Sequence, residues 1–313
     1  MNAEYTGSNR SGRGAVMGRA RATAVGFSAV LMWALLALLT VRPAPVPPLQ
    51  LNAICFALGG LVGLVWTLAS GGLGQLRSVS WKVYAFGTAG LFGYHLFYFS
   101  ALRLAPAAEA SLIAYLWPLL IVLFSGLLPG ERLAAGHVAG AVMAFAGAGL
   151  LIAEGIGSPD RTALPGYGLA LLCALTWSGY SILSRRMGAV PTAAVTVFCL
   201  MTAMLSVPAH LALEPTLWPD GAAGWLATIG LGLGPVGLAF FTWDVGVKRG
   251  DIQLLGTASY AAPLLSTLAL VLAGTATASL KLAVAAVLIT AGAALAAYAG
   301  RRIARRTGDI TPG

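Results

Sequence analysis

Long uncharged stretches alternate with short polar segments along nearly the whole chain. Ten such stretches lie near residues 22–41, 49–70, 81–102, 107–128, 133–153, 166–185, 192–212, 222–246, 252–273 and 279–300. Each runs to about 20 residues, the length an α-helix needs to cross a bilayer core of about 30 Å. The separators carry turn chemistry: "RPAPVPP" at 42–48, "SGGLGQLRS" at 70–78, "GIGSPDRTALPG" at 155–166 and "EPTLWPDG" at 214–221. The apolar positions are continuous rather than alternating, which excludes barrel strands. The pattern predicts an all-α membrane protein of ten transmembrane helices.

Composition agrees. Hydrophobic residues make up 58% of the 313 and charged residues 9%, against about 25% charged in soluble domains. A soluble protein could not cover its surface with so few charges. The net charge of +9 would suggest nucleic acid in another context. Here it reads as a topology signal. With ten spans and a cytoplasmic N-terminus, fifteen of the nineteen Lys and Arg fall on the cytoplasmic side, as the positive-inside rule requires. Both termini are then cytoplasmic, and the expected location is the bacterial inner membrane, with lipid as partner and no nucleic acid. Residues 1–21 read as a disordered cytoplasmic tail, with Met17 opening "MGRARA" so that 1–16 look like an upstream extension; 301–313 read as a second tail. Cys55, Cys173 and Cys199 are odd in number and lie in apolar runs, so no disulfide, metal or cofactor is assigned.

The two halves match at an offset of about 145. "AEASLIAYLWPLL" (108–120) aligns with "QLLGTASYAAPLL" (253–265), bringing Tyr115 onto Tyr260 and Pro118 onto Pro263. Trp33 meets Trp177, Arg42 meets Arg186, and Gly147 meets Gly292. A first repeat over 22–153, a linker over 154–165 and a second repeat over 166–300 follow. Five helices per repeat make the second enter from the opposite side, so the repeats are inverted. Transporters built this way bind their cargo at the repeat interface near mid-bilayer.

Pro118 and Pro263 sit mid-helix. A proline there donates no N–H and clashes with the carbonyl four residues back, so the carbonyls of Ala114 and Ser259 are expected to lose partners and to face protein, water or ligand. A packed kink is the alternative. Tyr94, His95, Tyr98, Tyr115, Trp117, Trp177 and Tyr260 put polar-tipped rings at matching depth and are candidate cavity residues with the two prolines; an interfacial belt is the alternative, and it suits Trp66, Trp81, Trp218 and Trp225 better. Asp244 is a candidate proton or polar contact, or else an i, i+4 partner of Lys248. Glu109 is another, or else complements the positive end of its helix. Gly232, Gly234 and Pro235 interrupt the eighth helix and are expected to act as a hinge. Their literal GxGxxG lacks a preceding strand and is no nucleotide fingerprint. The chain shows no HExxH, GxGD, GxSG, Walker A or His–Asp acyltransferase motif, so an enzyme is not expected.

Ten helices in five-plus-five repeats, short loops and a proline-centred fourth helix leading into "PGERL" (129–133) resemble the EamA family of the drug/metabolite transporter superfamily. "FGYHLFYFSALRLAPAAEASLIAYLWPLL" (92–120) is most similar to the YddG-type aromatic amino-acid exporters of that family. The resemblance implies a central cavity lined by helices 1, 3, 4, 6, 8 and 9, a small-molecule cargo such as an aromatic amino acid, and Tyr94, His95, Tyr98, Tyr115, Trp117 and Pro118 among the lining. The second half departs from the first, with "GTATASL" (274–280) for "PGERL" and Phe240 for His95. Energy coupling and oligomeric state are left open by the sequence.

Overall fold

The computed structural model describes residues 17–40, 46–153, 161–272, 274 and 277–307. Most of the two expected tails and of the 154–165 linker lies outside the described residues, as does Arg42. The described secondary structure is helical throughout, apart from turns. In chain order the helices are α1 (Arg19–Ala34), α2 (Leu36–Thr40), α3 (Pro48–Ala69), α4 (Leu73–Arg77), α5 (Trp81–Leu104), α6 (Ala107–Ala114), α7 (Trp117–Ser125) and α8 (Ala135–Ile152). The second half supplies α9 (Leu164–Arg186), α10 (Ala194–Leu213), α11 (Gly221–Leu233), α12 (Ala239–Arg249), α13 (Ile252–Ala258), α14 (Ala261–Leu272) and α15 (Leu280–Thr307).

Among the described residues, eight segments are long and apolar enough to cross a membrane: Pro48–Ala69, Ala107–Ser125, Ala135–Ile152, Arg161–Arg186, Ala194–Leu213, Gly221–Arg249, Ile252–Leu272 and Leu280–Arg305. This is a multi-pass membrane protein. The other two expected spans differ for visible reasons. The first is interrupted at Leu35, leaving α1 with 16 residues. The second, α5, has 24 residues, but its tyrosines, glycines and His95 dilute its hydropathy.

Two expected spans are each a pair of helices. α6 stops at Ala114 and α7 starts at Trp117; α13 stops at Ala258 and α14 starts at Ala261. Proline explains both. It cannot donate in a helix interior but fits a first turn, where its N–H is not needed. Pro118 duly occupies the first turn of α7. The Ser259 carbonyl, expected to be stranded, accepts from the Ala262 N–H at 3.1 Å in a tighter turn. The breaks lie 144–145 residues apart, at the repeat spacing.

α8 packs chiefly on α15, α3 on α10, α5 on α9, α1 on α12, α7 on α9 and α13, and α1 also on α14. Apart from α7 on α13, exchanging the two halves leaves this pattern unchanged. Glycines allow the closest crossings. A Cβ on Gly26 would lie 2.7 Å from the Gly246 Cα, one on Gly59 2.5 Å from the Gly237 Cα, and one on Gly140 2.5 Å from the Gly292 carbonyl oxygen. Such contacts hold membrane helices together where no hydrophobic driving force separates them from lipid.

The start of α1 and the last turns of α15 meet at one end of the bundle. There Arg19 of α1 pairs with Glu131 at 3.2 Å and with Asp251 at 3.7 Å, and Gly300 of α15 lies against Asp251 and His137. Arg185 also pairs with Glu131 and donates to the carbonyls of Val247 (2.8 Å) and Gly250 (2.9 Å) at the close of α12. Both halves contribute to this cluster.

Candidate functional site

Four tryptophans form the centre of the molecule: Trp33 on α1, Trp117 on α7, Trp177 on α9 and Trp243 on α12. Every pair among them is in ring contact, with centroids 5.1 to 6.4 Å apart. Most of the pairs meet edge to face, which the ring quadrupole favours. Hydrogen bonds orient two of the indoles, Trp33 and Trp243. The interruption at Gly234–Leu238 is one π-helical turn, in which the Ala239 N–H bonds the Gly234 carbonyl. That shift leaves the Pro235 carbonyl to accept the Trp33 indole N–H at 3.0 Å. Trp243 is fully buried and donates to the Ser181 hydroxyl at 3.1 Å.

Above this floor lies a cavity of about 500 Å³, within the range of small-molecule sites. It is bordered by Trp33, Tyr94, His95, Tyr98, Ser111, Tyr115, Trp117, Trp177, Phe240, Pro263 and Ser266, with Leu36, Ala107 and Ile152 towards the end opposite the ion cluster. Both halves therefore build it, across α1, α5, α6–α7, α9, the π-turn with α12, and α14. Among the described residues that border it, none is Asp, Glu, Lys or Arg. Its polarity comes from hydroxyls, indoles and one imidazole. Tyr94 and Tyr98, one turn apart, stack with centroids 6.2 Å apart and planes 7° from parallel. The Tyr98 hydroxyl lies 3.1 Å from that of Ser111 on α6. His95 donates from Nδ1 to the Leu91 carbonyl at 2.7 Å, which fixes Nε2 as the acceptor of the neutral ring. Phe56 and Phe240 flank that ring.

Of the residues marked from the sequence, Tyr94, His95, Tyr98, Tyr115, Trp117, Trp177 and Pro263 border the cavity, as does Pro235 of the hinge. Pro118 and Tyr260 do not. Pro118 is buried at the start of α7. Tyr260 is fully buried, and its hydroxyl accepts the Leu119 N–H at 3.0 Å, capping α7 from the other half. Gly232 packs on Leu58, and Gly234 has open space about its Cα. Asp244 and Glu109 also lie outside. Asp244 is buried behind the floor, where it accepts from Thr192 (2.8 Å) and Lys248 (2.9 Å). Glu109 accepts from the Tyr167 hydroxyl, tying α6 to α9. Trp33 and Phe240 were not marked. Trp33 carried a usable signal, since it is the repeat counterpart of Trp177.

The model of the EamA-like transporter family matches residues 21–153 and again 164–298. The chain belongs to the EamA-like transporter family. The two matches show the EamA unit present twice, in keeping with the paired packing of the halves. Among relatives, the Aromatic amino acid exporter YddG of Ancylobacter novellus is 55% identical over 291 residues, 91% of this chain and 100% of its own. Proteins of the same name from Salmonella typhimurium and Escherichia coli are 26% and 27% identical, over 90% and 80% of this chain and 98% and 88% of theirs. One crystal structure at 55% identity superposes with a TM-score of 0.87, covering 91% of this EamA chain and all of the other.

Proposed function

We propose that this EamA protein exports aromatic amino acids across the bacterial inner membrane by alternating access. The observation that carries the reading is the uncharged, aromatic-walled cavity shared by both halves, closed beneath by four tryptophans. The similarity to exporters named for aromatic amino acids supports it over the whole length of one relative.

In this reading ten spans form two inverted five-helix repeats. The eight long apolar helices are completed by α5 and by α1 with α2. The half-exchanging packing pattern supports the inversion. The start of α1 and the last turns of α15 share one end of the bundle, and this, together with the bias of cationic residues, supports cytoplasmic termini. The cavity then opens outward and the ion cluster closes the cytoplasmic end.

Such a cavity recognises cargo by shape and ring contact. An aromatic side chain rests on the floor, and each well-placed ring pair adds about 0.5–1.5 kcal/mol beyond burial. The ammonium and carboxylate groups meet the Tyr98, Tyr115 and Ser111 hydroxyls, His95 Nε2 and indole N–H groups. No fixed charge holds the zwitterion, so release outward is fast. Glu109 and Asp244 hold helices rather than cargo. The π-turn at Gly234–Leu238 is the hinge.

Proteoliposomes holding the purified chain test this, with and without a pH gradient. Tryptophan and phenylalanine should cross well above empty liposomes and compete with each other. Flux equal to that of empty liposomes defeats the proposal.

A further inference from the structure

The cytoplasmic ion cluster contains one group that its salt bridges do not use. His137, in the first turn of α8, is 1% exposed. Its Nδ1 accepts the Ala134 N–H at 3.1 Å. A nitrogen that accepts carries no proton, so in the neutral ring the proton is on Nε2. That buried Nε2–H has no hydrogen-bond partner among the described residues. Buried donors are nearly always paired, so the closed end contains a built-in fault.

The fault lies within the latch. Burial opposes a charge on the ring, Asp251 and Glu131 attract one, and Arg19 repels it. A Cβ placed on Gly300 of α15 would stand 3.6 Å from His137 Nε2 and 3.5 Å from Asp251 Oδ2. Arg132 precedes the ring on its own segment, and Arg301 follows Gly300; both are exposed. Three residues before Ala134, Glu131 holds Arg19 and Arg185 together.

We infer that His137 is a proton-binding site that unlatches the cytoplasmic end. A proton from cytoplasmic water adds to Nδ1, and the Ala134 N–H···Nδ1 bond breaks because two donors then face each other. The segment from Glu131 to Ala134 must move. Arg19 and Arg185 lose their shared carboxylate, and the equilibrium shifts towards the inward-open state, where the imidazolium reaches Asp251 or water. The inference rests on the proposed orientation and alternating access.

The test uses the full chain carrying Val122→Cys in inside-out vesicles, with a membrane-impermeant maleimide. Val122 is fully buried on α7 against Gly256, between the floor and the latch. Labelling of the chain without that cysteine is subtracted. Labelling is expressed relative to that of a free thiol at the same pH, because maleimide reacts with the thiolate. Between about pH 8 and about pH 4, a span wide enough for a buried histidine to change charge, this relative rate should rise roughly tenfold, the effect of one lost hydrogen bond and one stranded N–H. His137→Gln should be slow throughout, because glutamine at this helix position caps the same N–H and does not titrate. Glu131→Gln should be fast throughout. A pH slope that survives His137→Gln, or a parent without one, overturns the inference. Tryptophan flux in the same vesicles separates the two claims. Absent flux with a His137-dependent slope defeats the export reading alone, and flux without a slope defeats the latch alone.

Discussion

Trp117 and Trp177 touch both the cavity and the other floor indoles, so cargo contact and floor packing are read by different substitutions. Trp177→Phe should raise the KM for tryptophan roughly three- to tenfold, the loss of one ring contact of about 0.5–1.5 kcal/mol, with a near-normal melting temperature. Trp177→Ala should also unfold the protein earlier, because deleting a buried Trp costs about 3–5 kcal/mol. Proteoliposome kinetics and a thermal melt check both. Tyr98→Phe removes the partner of Ser111 and should slow flux a few-fold, at about 1 kcal/mol per hydrogen bond. At this scale the sequence is legible where polarity and depth disagree with an apolar helix: Tyr94, His95, Tyr98 and Tyr115 stand out for that reason. Trp33 and Phe240 do not, because a ring in an apolar run fits a core, a belt or a cavity equally well. Tyr260 shows the converse. Its type and register match Tyr115, but only the packing reveals that its hydroxyl caps another helix.

Helices were legible from runs of apolar residues and from the turn chemistry between them. The breaks at Tyr115–Leu116 and Ser259–Tyr260 were not, because a mid-run proline is consistent with a kinked helix as well as with two helices. Pro118→Ala restores an N–H at the start of α7 and favours fusion with α6. It should slow tryptophan flux at least about tenfold while leaving the melting temperature near normal, since a first-turn proline makes no hydrogen bond that the substitution could remove. Unchanged flux would separate the break from transport. The crossing of α8 and α15 predicts the opposite balance. Gly140→Val forces a side chain into the Gly292 backbone and should lower stability by about 1–3 kcal/mol or more, as overpacking does. A melt in detergent and the yield of folded protein measure it. The π-turn was legible as a Gly/Pro interruption, but its specific work, offering the Pro235 carbonyl to Trp33, depends on a hydrogen-bond shift that no residue pattern encodes.

Across the whole molecule the halves share their helix breaks and packing partners but differ in what those breaks hold. The floor draws two tryptophans from each half, at unmatched places apart from Trp33 and Trp177. The ion cluster has partners from both halves, and 131 falls opposite 276 at the repeat spacing, where the sequence has Ala in place of Glu. The latch therefore rests on an acid that the repeat does not duplicate, while the opposite end has its own pair, Arg103 with Glu214 at 2.8 Å. Raising ionic strength screens partly exposed ion pairs such as Arg19–Glu131, so it should increase maleimide access to Val122→Cys from the cytoplasmic side and leave access from the other side unchanged.

The Tyr260 hydroxyl that caps Leu119 has a counterpart at the repeat spacing, Tyr115 with the Leu264 amide, which is unmade while Tyr115 borders the cavity. In the proposed alternation the halves exchange roles and each orientation engages one strut, so deleting a single oxygen should reweight the two orientations. For a carrier coupled to no ion, detailed balance keeps the quotient of maximal rate and half-saturation equal on both faces. Tyr260→Phe should then change the half-saturation concentrations for efflux and influx in opposite directions, each offset by its own maximal rate. The protein would thus be kinetically one-sided and yet unable to accumulate anything against a gradient.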